Sequence, residues 1–93
     1  MTGMTRTSAG LDERRRRLLY RAWHRGTREM DLIMGRFADG CIADLSDAEV
    51  ADFERLADAP DPEIYAWISG EREVPDEYDG PILQRLRAFH SRG

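Results

Sequence analysis

An all-α fold, a small bundle of five helices in a single domain, is what this sequence predicts, and three observations carry that expectation. Apolar residues recur with a helical period in four separate stretches. Helices are opened by a proline or a capping box three times. Nowhere do four or more residues alternate apolar and polar in the β manner with β-branched enrichment. Ninety-three residues suit one domain that hides only somewhat more than half of its unfolded surface, which leaves little room for a deep internal pocket. Charged residues make up 34% and hydrophobic residues 41%, a balance that favours an ordered, charge-covered globule over a disordered chain.

Met1 to Gly10 is small and polar without period and reads as a flexible tail, so the domain is expected over residues 11–93. From Leu11 to Arg25, the residues Leu11, Leu18, Leu19, Ala22 and Trp23 share one face, with Arg14, Arg17, Arg21 and Arg25 along its edge. Gly26 stands where a left-handed glycine would end that helix and turn the chain. Met30, Ile33, Met34 and Phe37 repeat at i, i+3, i+4 and i+7, a second stripe that Gly35 weakens and Gly40 closes, giving a tight helical hairpin.

Ser46 and Glu49 form a capping box ahead of Val50, Phe53, Leu56 and Ala57, predicting a third helix from about Asp47 to Asp58. Asp61 followed by Pro62 sets a capping side chain before a proline at the first helical position, and Ile64, Trp67 and Ile68 line the short fourth helix, which ends near Gly70. Residues 71–80 read as a polar loop. Pro81 then opens a fifth helix carrying Ile82, Leu83, Leu86 and Phe89.

No apolar run approaches the roughly 18 to 20 residues of a membrane span, and Met1 to Gly10 has neither the apolar stretch of a secretory signal nor the basic amphipathic face of a mitochondrial leader. The single cysteine, Cys41, excludes an internal disulfide and suits a reducing compartment. A bacterial, cytoplasmic protein is expected. All 14 basic residues are arginine, whose fork binds carboxylates bidentately. Charge is divided along the chain. Nine arginines face four acids through Arg36, and five face fourteen from Phe37 onward, a dipole able to steer a partner although its usual meaning is a solvated surface.

Catalytic chemistry is scarce. His24 and His90 are the only groups that titrate near neutrality unperturbed, no serine lies in a G-x-S-x-G context, and no glycine-rich phosphate cradle occurs. The chain is expected to hold no cofactor and no metal of its own, and to have no catalytic residue. Trp23 and Trp67 lie on apolar stripes and read as core anchors, His24 as a surface histidine and Cys41 as a small buried hydrophobe.

Arg25, Gly26 and Glu29 form R-G-x-x-E at the junction of the first two helices. Locally, helix-end physics accounts for all three: Arg25 complements the C-terminal end of one helix dipole, Gly26 caps it, and Glu29 complements the N-terminal end of the next. The wider context points further. Arg17-Leu18-Leu19-Tyr20, Arg25-Gly26-Thr27-Arg28-Glu29-Met30-Asp31, Phe37, Leu45-Ser46 and Asp61-Pro62-Glu63-Ile64-Tyr65-Ala66-Trp67 resemble, in order and spacing, the succinate dehydrogenase flavinylation-factor family from about Arg17 to Phe89.

The resemblance implies a monomeric five-helix assembly factor, not an enzyme. Its R-G-x-x-E surface would dock on the flavoprotein subunit of succinate dehydrogenase, with fumarate reductase a second candidate, and the partner's own histidine would receive the FAD. Arg25, Gly26 and Glu29 become the partner-binding residues, with Arg17 and Tyr20 beside them. Thr27 departs from the methionine of many family members, which removes an apolar contact from the turn. Neither nucleic-acid binding nor direct membrane insertion is implied.

Two alternatives stand beside this reading: a helix-turn-helix DNA binder, which the Arg14 to Arg17 run and the glycine turn would suit, and a generic helical regulatory adaptor. Against the first stand the net charge of −4 and an apolar second helix with few base-reading side chains.

Overall fold

The helical periods become five α-helices in the computed structural model, which describes residues 10–91. These are α1 (Glu13–Trp23), α2 (Arg28–Cys41), α3 (Asp47–Ala57), α4 (Asp61–Ile68) and α5 (Pro81–Ser91), with 3₁₀ turns at Ile42–Asp44 and Asp76–Tyr78. No strand occurs among the described residues, and the fold class is all-α as expected. The tail expected over Met1 to Gly10 lies, apart from Gly10, outside the described residues. The helices fall into two compact units, the first ending at Ser46 and the second beginning at Asp47.

In the first unit Asp12 caps α1, its carboxylate accepting the Arg15 backbone N–H at 2.8 Å. That bond, helped by the Arg15 guanidinium at 2.7 Å, holds the Asp12 carboxyl below its ordinary value. The other end of the guanidinium donates to the Leu45 carbonyl at 2.5 Å, so one side chain ties the start of α1 to the chain beyond the first 3₁₀ turn. Leu11 is buried as expected but stands just before the cap rather than inside the helix.

Helix α1 buries Leu18, Leu19, Ala22 and Trp23 and packs against α2, which buries Met30, Met34, Phe37, Ala38 and Cys41. Ile33, on the edge of that stripe, is only half-buried. Two glycines behave differently from the expectation. Gly40 does not close α2, which runs on to Cys41 and passes into the 3₁₀ turn. Gly35 is less a weak point than a seat: it is buried, and a Cβ there would overlap the Trp23 indole. The indole N–H donates to Asp39 Oδ1 at 3.2 Å, which fixes the ring in place over Gly35.

In the second unit α3 buries Val50, Phe53, Leu56 and Ala57, α4 buries Ile64, Ala66, Trp67 and Ile68, and α5 buries Ile82, Leu83 and Leu86 while packing against both. Helix α3 opens at Asp47, directly after Ser46, where its start was expected. Helix α4 begins one residue earlier than expected: Pro60, not Asp61, is the N-cap, with no side-chain cap bond. The Pro60 carbonyl accepts from Glu63 and Ile64 N–H at 3.0 and 3.1 Å, so Asp61 enters the first turn and Pro62 follows it. Both remain favourable there, the acid near the positive helix end and the proline where no amide partner exists.

The loop expected over residues 71–80 contains the second 3₁₀ turn, and Tyr78 stacks on Trp67 with ring centroids 5.0 Å apart. Trp67 is the core anchor expected of it, but its indole N–H has no acceptor among the described residues, so it contributes through apolar contact and stacking. Phe89, expected on the apolar stripe of α5, is exposed in the last turn.

The N-terminus of α5 is completed from a distance. Asp52, on α3, accepts the Ile82 backbone N–H through Oδ2 at 3.1 Å, supplying the side-chain acceptor that Gly80 lacks. Asp52→Ala is expected to lower stability by about 1 kcal/mol, with Asp52→Asn recovering much of the loss because an acceptor oxygen remains. Thermal melts of the two variants, followed by circular dichroism, would check this order.

Candidate functional site

The R-G-x-x-E residues surround the connection between α1 and α2. The last helical residue of α1 is Trp23, and His24 is its C-cap, donating its backbone N–H to the Arg21 carbonyl at 3.3 Å. Gly26 follows two residues later with φ of +108°, a conformation that strains any residue with a Cβ. The left-handed glycine expected at this turn is therefore present, one position later than a C′ glycine, and it is exposed with open space where a Cβ would stand.

Thr27 is the N-cap of α2: its Oγ1 accepts the Met30 backbone N–H at 3.3 Å, and its carbonyl accepts the Asp31 N–H at 2.9 Å. The Thr27 hydroxyl thus has a structural use, because it satisfies a helix-end amide that would otherwise be left to water. Glu29 is exposed in the first turn of α2, where the partial positive charge of the helix end favours its carboxylate. Arg25 is half-buried on the other side of Gly26, and its backbone N–H donates to Asp31 Oδ1 at 2.5 Å. The turn therefore holds an arginine and a glutamate around one exposed glycine, with the backbone on both sides of that glycine tied to the first turn of α2.

Tyr20 and Arg17 lie further back on α1, both exposed. Tyr20, 58% exposed, is the most open large hydrophobic residue of the described chain, which makes it a contact candidate. It is not isolated, because its ring stacks on His24 with centroids 3.8 Å apart and planes 15° from parallel, while His24 Nδ1 lies 2.8 Å from the Tyr20 carbonyl oxygen. Arg17 is paired with Glu13 one turn earlier at 2.5 Å on the exposed side of the helix. Such an exposed pair contributes little to stability and exchanges readily for another carboxylate.

Sequence reasoning missed two members of this arrangement. Asp31 carries no motif status, yet it anchors the Arg25 amide. Its place two residues beyond Glu29, in the first turn of a helix, is the available signal. His24 was expected on the surface and is there, but its stacking partner four residues back on the same helix face was not anticipated, although that spacing brings the two rings together. Cys41 is buried as expected. Among the described residues no group of His, Cys, Asp or Glu could hold a metal ion, and no helix is long and apolar enough to cross a membrane.

Residues 16–90 match the family model described as flavinator of succinate dehydrogenase. Among similar proteins, the "FAD assembly factor SdhE" of Acetobacter pasteurianus is 40% identical over 76 residues, 82% of this chain and 70% of that protein. The "Succinate dehydrogenase assembly factor 2, mitochondrial" of Dictyostelium discoideum is 36% identical over 77 residues, 83% of this chain and 55% of that protein. The protein of the same name from Danio rerio is 30% identical over 86 residues, 90% of this chain and 54% of that protein. This chain thus spans a little over half the length of those two mitochondrial relatives. No solved structure matches. With the family model covering four-fifths of the chain, from within α1 almost to the end of α5, the protein belongs to the family of succinate dehydrogenase flavinators.

Proposed function

We propose that this protein is an assembly factor that docks on the flavoprotein subunit of succinate dehydrogenase and promotes covalent attachment of FAD to it, without being an enzyme itself. Membership of the flavinator family is the observation that carries this reading, and the names of its bacterial and mitochondrial relatives agree with it. That membership lends no support to a DNA-binding regulator. The bacterial relative supports a bacterial setting; a cytoplasmic monomer belongs to the same proposed reading.

The docking surface is the α1–α2 turn, with Arg25 and Glu29 making charge-assisted hydrogen bonds to the subunit and Gly26 letting the two backbones approach closely. Arg17 exchanges Glu13 for a carboxylate of the partner, and Tyr20 adds an apolar contact. The attachment chemistry belongs to the subunit, whose own histidine receives the flavin. A binding protein accelerates such a step by favouring the partner conformation competent for it, and the acceleration is limited by its differential affinity for that conformation.

Reconstitution tests this directly. Purified protein added to apo-subunit and FAD should raise the flavin fluorescence that remains in the subunit band of a denaturing gel, where unattached flavin is washed away. Arg25→Ala and Glu29→Ala should each weaken the effect, by roughly the 1.5–3 kcal/mol of a charged hydrogen bond where the contact is desolvated. Cys41→Ala should leave it unchanged. Equal fluorescence with and without the protein at limiting FAD would overturn the assembly reading, and a rate gain that required Cys41 or His24 as a reacting group would overturn the claim that it is not an enzyme.

A further inference from the structure

We infer that Asp31 is a positioning residue for docking: its carboxylate fixes the backbone of Arg25 and so sets the turn that presents Arg25 and Glu29. The inference rests on the assembly-factor reading and adds to it a residue outside R-G-x-x-E. Arg25 lies beyond the last helical residue of α1, and its backbone N–H donates to Asp31 Oδ1 across six residues. Asp31 is half-buried, and its own N–H donates to the Thr27 carbonyl at 2.9 Å, while Thr27 Oγ1 accepts from Met30 at 3.3 Å.

The two neighbours of Gly26 are therefore both fastened to the first turn of α2, Arg25 by the Asp31 carboxylate and Thr27 by its cap bonds. Gly26 between them is the residue with the widest conformational freedom, so without both ties the turn would sample many shapes. A carboxylate suits this task for two reasons. It accepts from an amide more strongly than a neutral oxygen does, and the N-terminal end of α2 stabilises its charge. A turn held before docking loses less freedom on binding, and this gain appears in affinity without any contact between Asp31 and the partner.

The test compares Asp31→Ala and Asp31→Asn in the full chain, with the apo flavoprotein subunit of succinate dehydrogenase as the partner. Measurements are made well below the melting temperature of both variants, so that loss of folded protein does not enter. Asp31→Ala should speed hydrogen exchange at the Arg25 amide, followed by nuclear magnetic resonance, and weaken the Kd about ten-fold, the equivalent of one charge-assisted hydrogen bond. Asp31→Asn, which keeps an acceptor oxygen, should restore much of both. If Asp31→Ala leaves the Kd unchanged while Arg25→Ala weakens it, the positioning role is overturned and the assembly reading stands. An Arg25 amide equally protected in Asp31→Ala overturns it too, and no binding by the wild-type protein removes both.

Discussion

Gly26→Arg is expected to leave the five helices in place and to weaken docking on the flavoprotein subunit by at least about thirty-fold, the equivalent of roughly 2 kcal/mol. Two separable effects act at this residue. The first is backbone strain: φ is +108°, so any residue with a Cβ costs about 1–2 kcal/mol of stability whatever its size. The second is steric. Nothing within 4 Å meets a Cβ at Gly26, so the isolated protein accommodates a side chain and only an approaching partner would be obstructed.

Gly26→Ala separates the two, because it carries the same backbone strain without the bulk. The two variants should therefore melt at similar temperatures, both below the wild-type protein, while Gly26→Arg alone loses most of the binding. Pull-down and thermal melting on the same samples decide the matter. If Gly26→Arg unfolds the protein, or if Gly26→Ala loses as much binding, helix-end physics alone explains the glycine and the contact role fails.

The largest loss of stability is expected at Gly35. Helix propensity alone predicts that Gly35→Ala would stabilise α2 by about 1 kcal/mol. The packing predicts the opposite sign. An added Cβ would lie 2.6 Å from Cε2 of the Trp23 indole, with two further ring atoms nearer still. These are the atoms at and beside the fused bond of a buried ring whose N–H is held by Asp39, not the free end of a flexible chain. Overpacking of this kind costs about 1–3 kcal/mol, and Gly35→Val should cost more because it adds bulk and a β-branched rotamer restriction.

Gly40→Ala provides the contrast within the same helix, since no atom stands within 4 Å of a Cβ there, and it should be neutral or mildly stabilising. Urea denaturation of the three variants would show the order. The cost of Gly35→Ala should also shrink in a Trp23→Leu background, because a double-mutant cycle isolates the contact between those two residues. A stabilising Gly35→Ala in the wild-type background would show that the indole does not occupy the glycine's face.

Much of the fold was legible in the one-dimensional pattern. The four helical-period stripes, together with the proline and capping-box starts, place all five helices in order, because apolar residues at 3.6-residue spacing must be buried on one side wherever the chain goes. The turn at Gly26 was legible too, since a glycine between two such stripes is where the chain can reverse. Arg25, Gly26 and Glu29 lie within five consecutive positions, so their helix-end places could be read locally, whereas their docking role is implied only by the family resemblance and is a proposal.

What the pattern could not contain were interactions whose partners are far apart in the chain or whose choice depends on small energy differences. Pro60 replaced Asp61 as the cap of α4 because its carbonyl can take the same first bonds, and two adjacent candidates differ by less than local propensity resolves. Gly35 looked like a weak helix residue until the Trp23 indole was found over it. Asp52 carries no signal in the one-dimensional pattern, because the Ile82 amide that it accepts lies thirty residues away and is brought to it only by the packing of α5. Asp31 was given no role of its own by the pattern, because only the reversal at Gly26 carries the Arg25 amide back to it. The sequence by itself determined where the five helices lie, to within a residue or two at their ends, and most of the apolar face of each, because both follow from interactions within a few residues. The tertiary structure alone decided which side chains complete the helix ends and which glycine must stay bare, because those depend on atoms that only folding brings within contact.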